Sequence, residues 1–165
     1  MEIERKWLVR RESIPYDLHT LHALEIGQAY ISFHPTVRVR SLRDRQGNES
    51  FVLTVKSGSK ASDGLAREEF ELPIDREGYE TLLRKAEGSV IRKTRYLFRR
   101  TDDLLEEIDI FHDALEGLCY LEIEFPTVEA ARAFPSPDWT ERDVTSEKRF
   151  RNSALAQYGM PEVQP

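Results

Sequence analysis

The sequence predicts a mainly antiparallel β fold (α+β), with about eight strands and a few flanking helices. Three observations carry that reading. Apolar and polar residues alternate with period two in segment after segment. Turn-forming stretches such as Asp44-Arg45-Gln46-Gly47-Asn48 separate these segments. Apolar residues at helical spacing are confined to three short stretches.

Along the chain, Glu2–Val9 is the first strand, followed by an irregular stretch containing Pro15. Leu24–Ser32 and Val37–Arg43 alternate cleanly, and the Asp44–Asn48 turn leads into a strand at Ser50–Lys56. Ser57–Gly64 is small and polar, a loop by composition. Ala66–Ile74 resumes the alternation. Arg76–Glu87 is a predicted helix, because Tyr79, Leu82, Leu83 and Ala86 share a face behind Asp75 as N-cap. Strands follow at Val90–Arg99, Leu104–Phe111 and Cys119–Phe125, joined by turns at Thr101–Asp103 and Asp113–Gly117. Val128–Phe134 is a short helix, broken by Pro135 and Pro137. Phe150–Tyr158 is a terminal helix whose Ala154, Leu155 and Tyr158 dock on the strands and close one mouth.

At 165 residues the chain has the length of one domain, expected over residues 1–160 with a tail at 161–165. The single cysteine, Cys119, excludes an intramolecular disulfide and a cysteine-ligated metal, and suits a reducing cytoplasm. No apolar run is long enough to span a bilayer, so no membrane partner is expected. A net charge of −6 argues against nucleic acid, yet 33% of residues are charged and both signs are mixed, which leaves room for a small polyanion in a local basic pocket.

The strand faces carry the chemistry. Glu2, Glu4 and Lys6 share one face, with Ile3, Trp7 and Val9 on the other. Arg38 and Arg40 oppose Val37 and Val39, and Thr54 and Lys56 oppose Leu53 and Val55. Glu69 and Glu71 oppose Phe70 and Leu72, while Lys93 and Arg95 alternate with Thr94 and Tyr96. Glu107 and Asp109 oppose Ile108 and Ile110, and Glu122 and Glu124 oppose Leu121, Ile123 and Phe125. Two architectures accommodate this. One is a half-solvated sheet; the other is a closed barrel with charges inward, tolerable only if wet and filled by metal and polyanion. His19, His22, His34 and His112 form no metal-ligand spacing and are expected in loops or at the surface. Cys119 and Trp7 are expected to pack, and no Walker-type glycine loop is present.

In order, Glu2-x-Glu4-x-Lys6, Gln28-Ala29-Tyr30, Val37-Arg38-Val39-Arg40, Leu53-Thr54-Val55-Lys56, Arg67-Glu68-Glu69-Phe70-Glu71 and Arg92-Lys93-Thr94-Arg95-Tyr96 occur, followed by Glu107-Ile108-Asp109, Leu121-Glu122-Ile123-Glu124-Phe125 and Asp143–Phe150. The chain therefore resembles the CYTH superfamily, the triphosphate tunnel metalloenzymes, over nearly its whole length. The resemblance implies an eight-stranded closed β-barrel tunnel with a charged lumen, binding a small-molecule triphosphate with Mg2+ or Mn2+. Its look is that of the small bacterial inorganic triphosphatases, which tend to be homodimers. Thiamine triphosphate hydrolysis, ATP cyclisation and non-catalytic polyphosphate binding are the alternatives. Against cyclisation, the cyclase pattern has a His-Phe pair before its first glutamate, where only Met1 stands here.

Charge type assigns the roles within that resemblance. Arg38 and Arg40 clamp phosphate oxygens, and Lys56, Lys93 and Arg95 neutralise charge. Lys148 and Arg149 are added as phosphate contacts by family position. Glu2, Glu4, Glu69, Asp109, Glu122 and Glu124 are hard oxygen ligands for the metal. Glu71 and Glu107 are expected as ion pairs in the wall or as supports to those ligands. By analogy with a family member, a Lys6–Tyr30 pair accepts the proton, the ammonium lowering a phenol pKa that is ordinarily about 10.

Overall fold

A computed structural model of the chain describes residues 1–56 and 65–162. The expected Ser57–Gly64 loop lies outside them. Among the described residues ten strands form, nearly where alternation places them: β1 Glu2–Leu8, β2 His22–Ser32, β3 Thr36–Asp44, β4 Glu49–Lys56, β5 Ala66–Arg67, β6 Glu69–Ile74, β7 Glu87–Arg99, β8 Leu105–Phe111, β9 Cys119–Glu124 and β10 Arg142–Asp143. The helices are α1 Arg76–Leu83, α2 Val128–Ala133 and α3 Asn152–Tyr158. Asp75 caps α1 by accepting from the Gly78 amide at 2.7 Å, and Thr127 caps α2 from the Ala130 amide at 3.0 Å.

The sheet differs from the expected eight-stranded closed barrel. Among the described residues, nine strands run in one hydrogen-bonded path, β10-β1-β9-β8-β7-β2-β3-β4-β6, and the ladder does not close on itself. β5 stands off the path and pairs with β1, Glu2 opposite Arg67 and Ile3 opposite Ala66. β6 pairs with β4, Lys56 opposite Glu69. What alternation predicts as one strand, Ala66–Ile74, is therefore two, divided at Glu68. This break lets one stretch of chain leave the β4 edge and reach the β1 edge, and the Lys56 ammonium spans the same gap, 2.7 Å from Glu2 and 3.2 Å from Glu69.

Outer faces are covered by apolar layers. Ile3, Trp7, Ile108, Leu121 and Ile123 pack beneath α2 and the segment containing Ile14, Tyr16 and Leu18. α1 covers Ala29 and Val39 through Tyr79, with Phe51 and Leu53 at its margin. Each fully buried side chain of this size stabilises by roughly 1.5–3 kcal/mol. Glu106, fully buried on this outer face, accepts from Tyr16 Oη at 2.8 Å and pairs with Arg100 at 2.9 Å, tying the N-terminal segment to the β7–β8 hairpin. Its signal in the sequence is an acid in phase with Ile108 and Ile110.

The inward faces are charged over only part of their length. At one end Leu8, Tyr30, Ile91, Phe111 and Tyr120 turn inward and are filled by Phe150, Leu155 and Ala156. The expected terminal helix thus breaks into a 3-10 turn, Lys148–Phe150, and α3. Its docking residues are Leu155 and Ala156; Tyr158 is 78% exposed, not packed as its spacing suggested. Gly88, at φ +70°, permits this seat, because a Cβ there would lie 2.5 Å from the Ala156 carbonyl oxygen.

Candidate active site

Period two and strand register bring the alternating charges of seven strands to one chamber of about 260 Å3. It is lined by Glu2, Glu4, Arg38, Arg40, Lys56, Glu69, Glu71, Lys93, Arg95, Glu107, Glu122, Glu124 and Asn152. Twelve of these thirteen are ionisable.

On the β7–β8–β9 side the charges of Lys93, Arg95, Glu107, Asp109 and Glu122 are matched. Asp109, fully buried, takes Arg95 in a fork, Nε to Oδ1 at 2.7 Å and Nη2 to Oδ2 at 2.8 Å, and takes Lys93 Nζ at 2.5 Å. Arg95 also meets Glu107 at 2.5 Å and Glu122 at 3.4 Å. Burial would raise Asp109 and Glu122, but the surrounding cations hold both carboxyls below their usual range. Burial, with Arg95 beside it, pulls Lys93 down to about 8 against the pull of Asp109. Asp109, expected as a metal ligand, thus has both oxygens committed to cations and acts as a buttress for Lys93 and Arg95.

The β1 corner is different. Among the described residues the Glu4 carboxylate has no hydrogen bond or ion pair, and Glu4 faces Glu124 across the β1–β9 ladder. Burial and the neighbouring Glu122 push its carboxyl up to about 7. Burial and other carboxylates also raise Glu2 and Glu124. This is the signature of clustered acids short of a cation. Among the described residues, no three acid, histidine or cysteine side chains are gathered tightly enough to enclose a metal by themselves. The donor set nonetheless fits Mg2+ or Mn2+, which are held by one or two carboxylates with water and substrate oxygens completing the shell.

Opposite, Arg38 lies 3.7 Å from Glu69 and Arg40 2.6 Å from Glu71. Burial and Arg38 lower Arg40 to about 10. Among the described residues, several buried polar atoms on these strands lack partners: both ends of the Gln28 amide, Thr54 Oγ1, and the Nε of Arg38 and Arg40.

Lys6 and Tyr30 do not form a hydrogen-bonded pair. The Lys6 ammonium lies 3.3 Å from Glu122, 3.5 Å from the Phe150 carbonyl oxygen it donates to, and 5.0 Å over the Tyr120 ring. Burial would lower Lys6, but Glu122 and Glu4 raise it, so it holds its proton. Tyr30 pairs across the ladder with Arg38. Tyr120, missed in the sequence, stands on the face of Glu122, one pair along from Lys6. Lys148 and Arg149 are exposed on their 3-10 turn and line neither the chamber nor the space beside it. Arg149 is engaged by Glu147 at 2.9 Å and the Glu162 carbonyl oxygen.

An annex of about 60 Å3 adjoins the chamber, sharing Glu4, Arg38, Lys56 and Asn152 with it. Lys6, Tyr30, Arg67, Glu147 and Arg151 also line it.

A cavity walled by paired cations with an acidic corner has the chemistry to hold a polyanion. Known proteins agree in kind. The model of the CYTH domain matches residues 1–145. The chain belongs to the CYTH family. This CYTH chain is 39% identical over 155 residues to the inorganic triphosphatase of Nitrosomonas europaea, covering 94% of this chain and 96% of that protein. It is 35% identical over 156 residues to the inorganic triphosphatase of Acetivibrio thermocellus, covering 93% and 92%. A solved structure of an inorganic triphosphatase superposes with a TM-score of 0.64 at 34% identity, covering 94% of each chain.

Proposed function

We propose that this CYTH protein hydrolyses inorganic triphosphate to diphosphate and phosphate, with Mg2+ or Mn2+. The observation that carries the reading is Glu4: an unpaired carboxylate raised to about 7, set in a chamber whose cations are held in place by other acids. The names of the two bacterial relatives support it. So does the placing of the aromatic residues. Tyr96 and Trp139 sit in the outer core, and Phe33 stacks on Tyr30 at 5.4 Å, so none of these offers a nucleobase or thiamine a ring on the chamber wall.

Arg38, Arg40, Lys56, Lys93 and Arg95 hold the phosphate oxygens and blunt the charge that repels an attacking water. Glu2, Glu4 and Glu124, with Glu69 and Glu122 at the margins, would hold the divalent cation, whose chemistry when bound is to screen phosphate charge and acidify a water. Lys6 stays cationic and supports Glu122. Tyr30, beside Arg38, is the proton acceptor. Single-domain behaviour over residues 1–160, a homodimer and a cytoplasmic setting complete the proposal.

The test is phosphate release from inorganic triphosphate, diphosphate, ATP and thiamine triphosphate with Mg2+, Mn2+ or chelator, beside Lys6→Ala and Tyr30→Phe. Metal-dependent release from inorganic triphosphate above the others, lost in Lys6→Ala, supports the assignment. Preference for an organic triphosphate overturns it. Tyr30→Phe is expected to lower turnover far more than binding; unchanged turnover removes Tyr30 from the mechanism.

A further inference from the structure

The chamber and its annex differ in charge. The chamber wall carries seven carboxylates against five cations. The annex carries five cations, of which Lys6, Arg67 and Arg151 are its own, against two carboxylates, Glu4 and Glu147. An acid-rich wall accepts phosphate oxygens only when a metal ion offsets its carboxylates. A cation-rich one needs no metal.

Arg151 is the informative residue. Among the described residues its guanidinium has no hydrogen bond and no ion pair. It is half-buried, and its guanidinium pKa is lowered first by burial and then by Arg67, so two like charges are held together at one wall. Asn152, beside it, lines both cavities and buries a side-chain oxygen without a partner. Rotation of that amide by 180° presents Nδ2 to the same place as a donor. Guanidinium forks match the oxygens of a phosphoryl group.

We infer that the annex is a metal-independent site for a phosphoryl anion, with Arg151 as its dedicated ligand, Lys6 beside it, and Arg38 and Lys56 shared with the chamber. Its occupant is orthophosphate or the terminal phosphoryl group of a polyphosphate longer than three. The inference extends the proposed triphosphatase reading, but its first test needs no turnover. It concerns no bond-making step, only where an anion rests.

Calorimetric titration of orthophosphate into the full chain with chelator present tests it. Wild type should bind, Arg151→Gln should bind roughly tenfold more weakly or less, and Arg40→Gln, which alters only the chamber, should bind as wild type does. Absence of binding to wild type, or equal binding by wild type and Arg151→Gln, overturns the site; an equal loss in Arg40→Gln moves it into the chamber and also overturns it. Turnover then separates the two occupants. A fall in kcat/KM for tetraphosphate alone in Arg151→Gln identifies a chain end. Relief of inhibition by added orthophosphate, with both substrates unaffected, identifies the free anion. An equal fall for triphosphate and tetraphosphate makes Arg151 part of the triphosphate site and defeats the inference. A wild type that binds phosphate with chelator but releases none from triphosphate leaves the annex standing and rejects the triphosphatase.

Discussion

The β7–β8–β9 wall and the β1–β2–β3 wall enclose one chamber and are built on opposite plans. On the first, Asp109 sits between Lys93 and Arg95, Arg95 reaches Glu107 and Glu122, and Glu122 reaches Lys6. On the second, among the described residues, the Glu4 carboxylate stands unpaired and Gln28 has both amide ends open. The first plan spends carboxylates to fix where cations point, which favours a rigid wall. The second leaves donors and acceptors unmet, a state that only water or a ligand relieves. The comparison teaches that acids of one chamber serve two purposes, and that the pairing of each residue, not its charge, tells which.

The largest test strikes the matched wall. Asp109→Ala leaves the buried Lys93 without its ion-pair partner and strips the carboxylate fork from Arg95, and should cost about 3–5 kcal/mol in chemical denaturation. A loss below about 1 kcal/mol would break the distinction between the walls. Glu4→Gln is the counterpart. Turnover with metal should fall at least tenfold, about 1.4 kcal/mol of barrier. Its stability effect has a definite sign. The folded carboxyl is raised from 4.5 to about 7, so between those values the folded state binds more protons and stability falls as pH rises. The variant should therefore gain on wild type at pH 8 and not at pH 4, measured by thermal midpoints.

A smaller effect is expected at Gln28. Replacing its unpartnered amide by methionine should stabilise by roughly 1 kcal/mol while raising KM; a destabilised variant would mean that the amide is satisfied and the wall is not open there. The smallest effect lies at Lys93. Its folded value, lowered from 10.5 to about 8, makes stability rise with pH between those limits, because there the unfolded chain holds more protons. Anion binding runs the other way, so KM should climb above about pH 8, and Lys93→Arg should abolish that climb.

Much of this was legible in alternation. Each strand of the chamber was foreseen, and the inward residues follow from period two once a single inward end is placed. Three features were not legible. The break at Glu68 carries no glycine or proline to announce it. The turn before α3 rotates the basic run, so that Lys148 and Arg149 face solvent and Arg151 faces the annex. And Lys6 chooses Tyr120 over Tyr30 because diagonal neighbours on adjacent strands lie within reach of a long side chain, a register effect that no single strand reveals.

The short pairing of β5 with β1 has a consequence for motion. Among the described residues two residue pairs hold that join, against eight between β2 and β3. A hoop loosens first at its weakest splice. Amide hydrogens around Ile3 should therefore exchange with solvent before those around Gln28, and the wall can gape sideways there while the rest of the ladder stays shut.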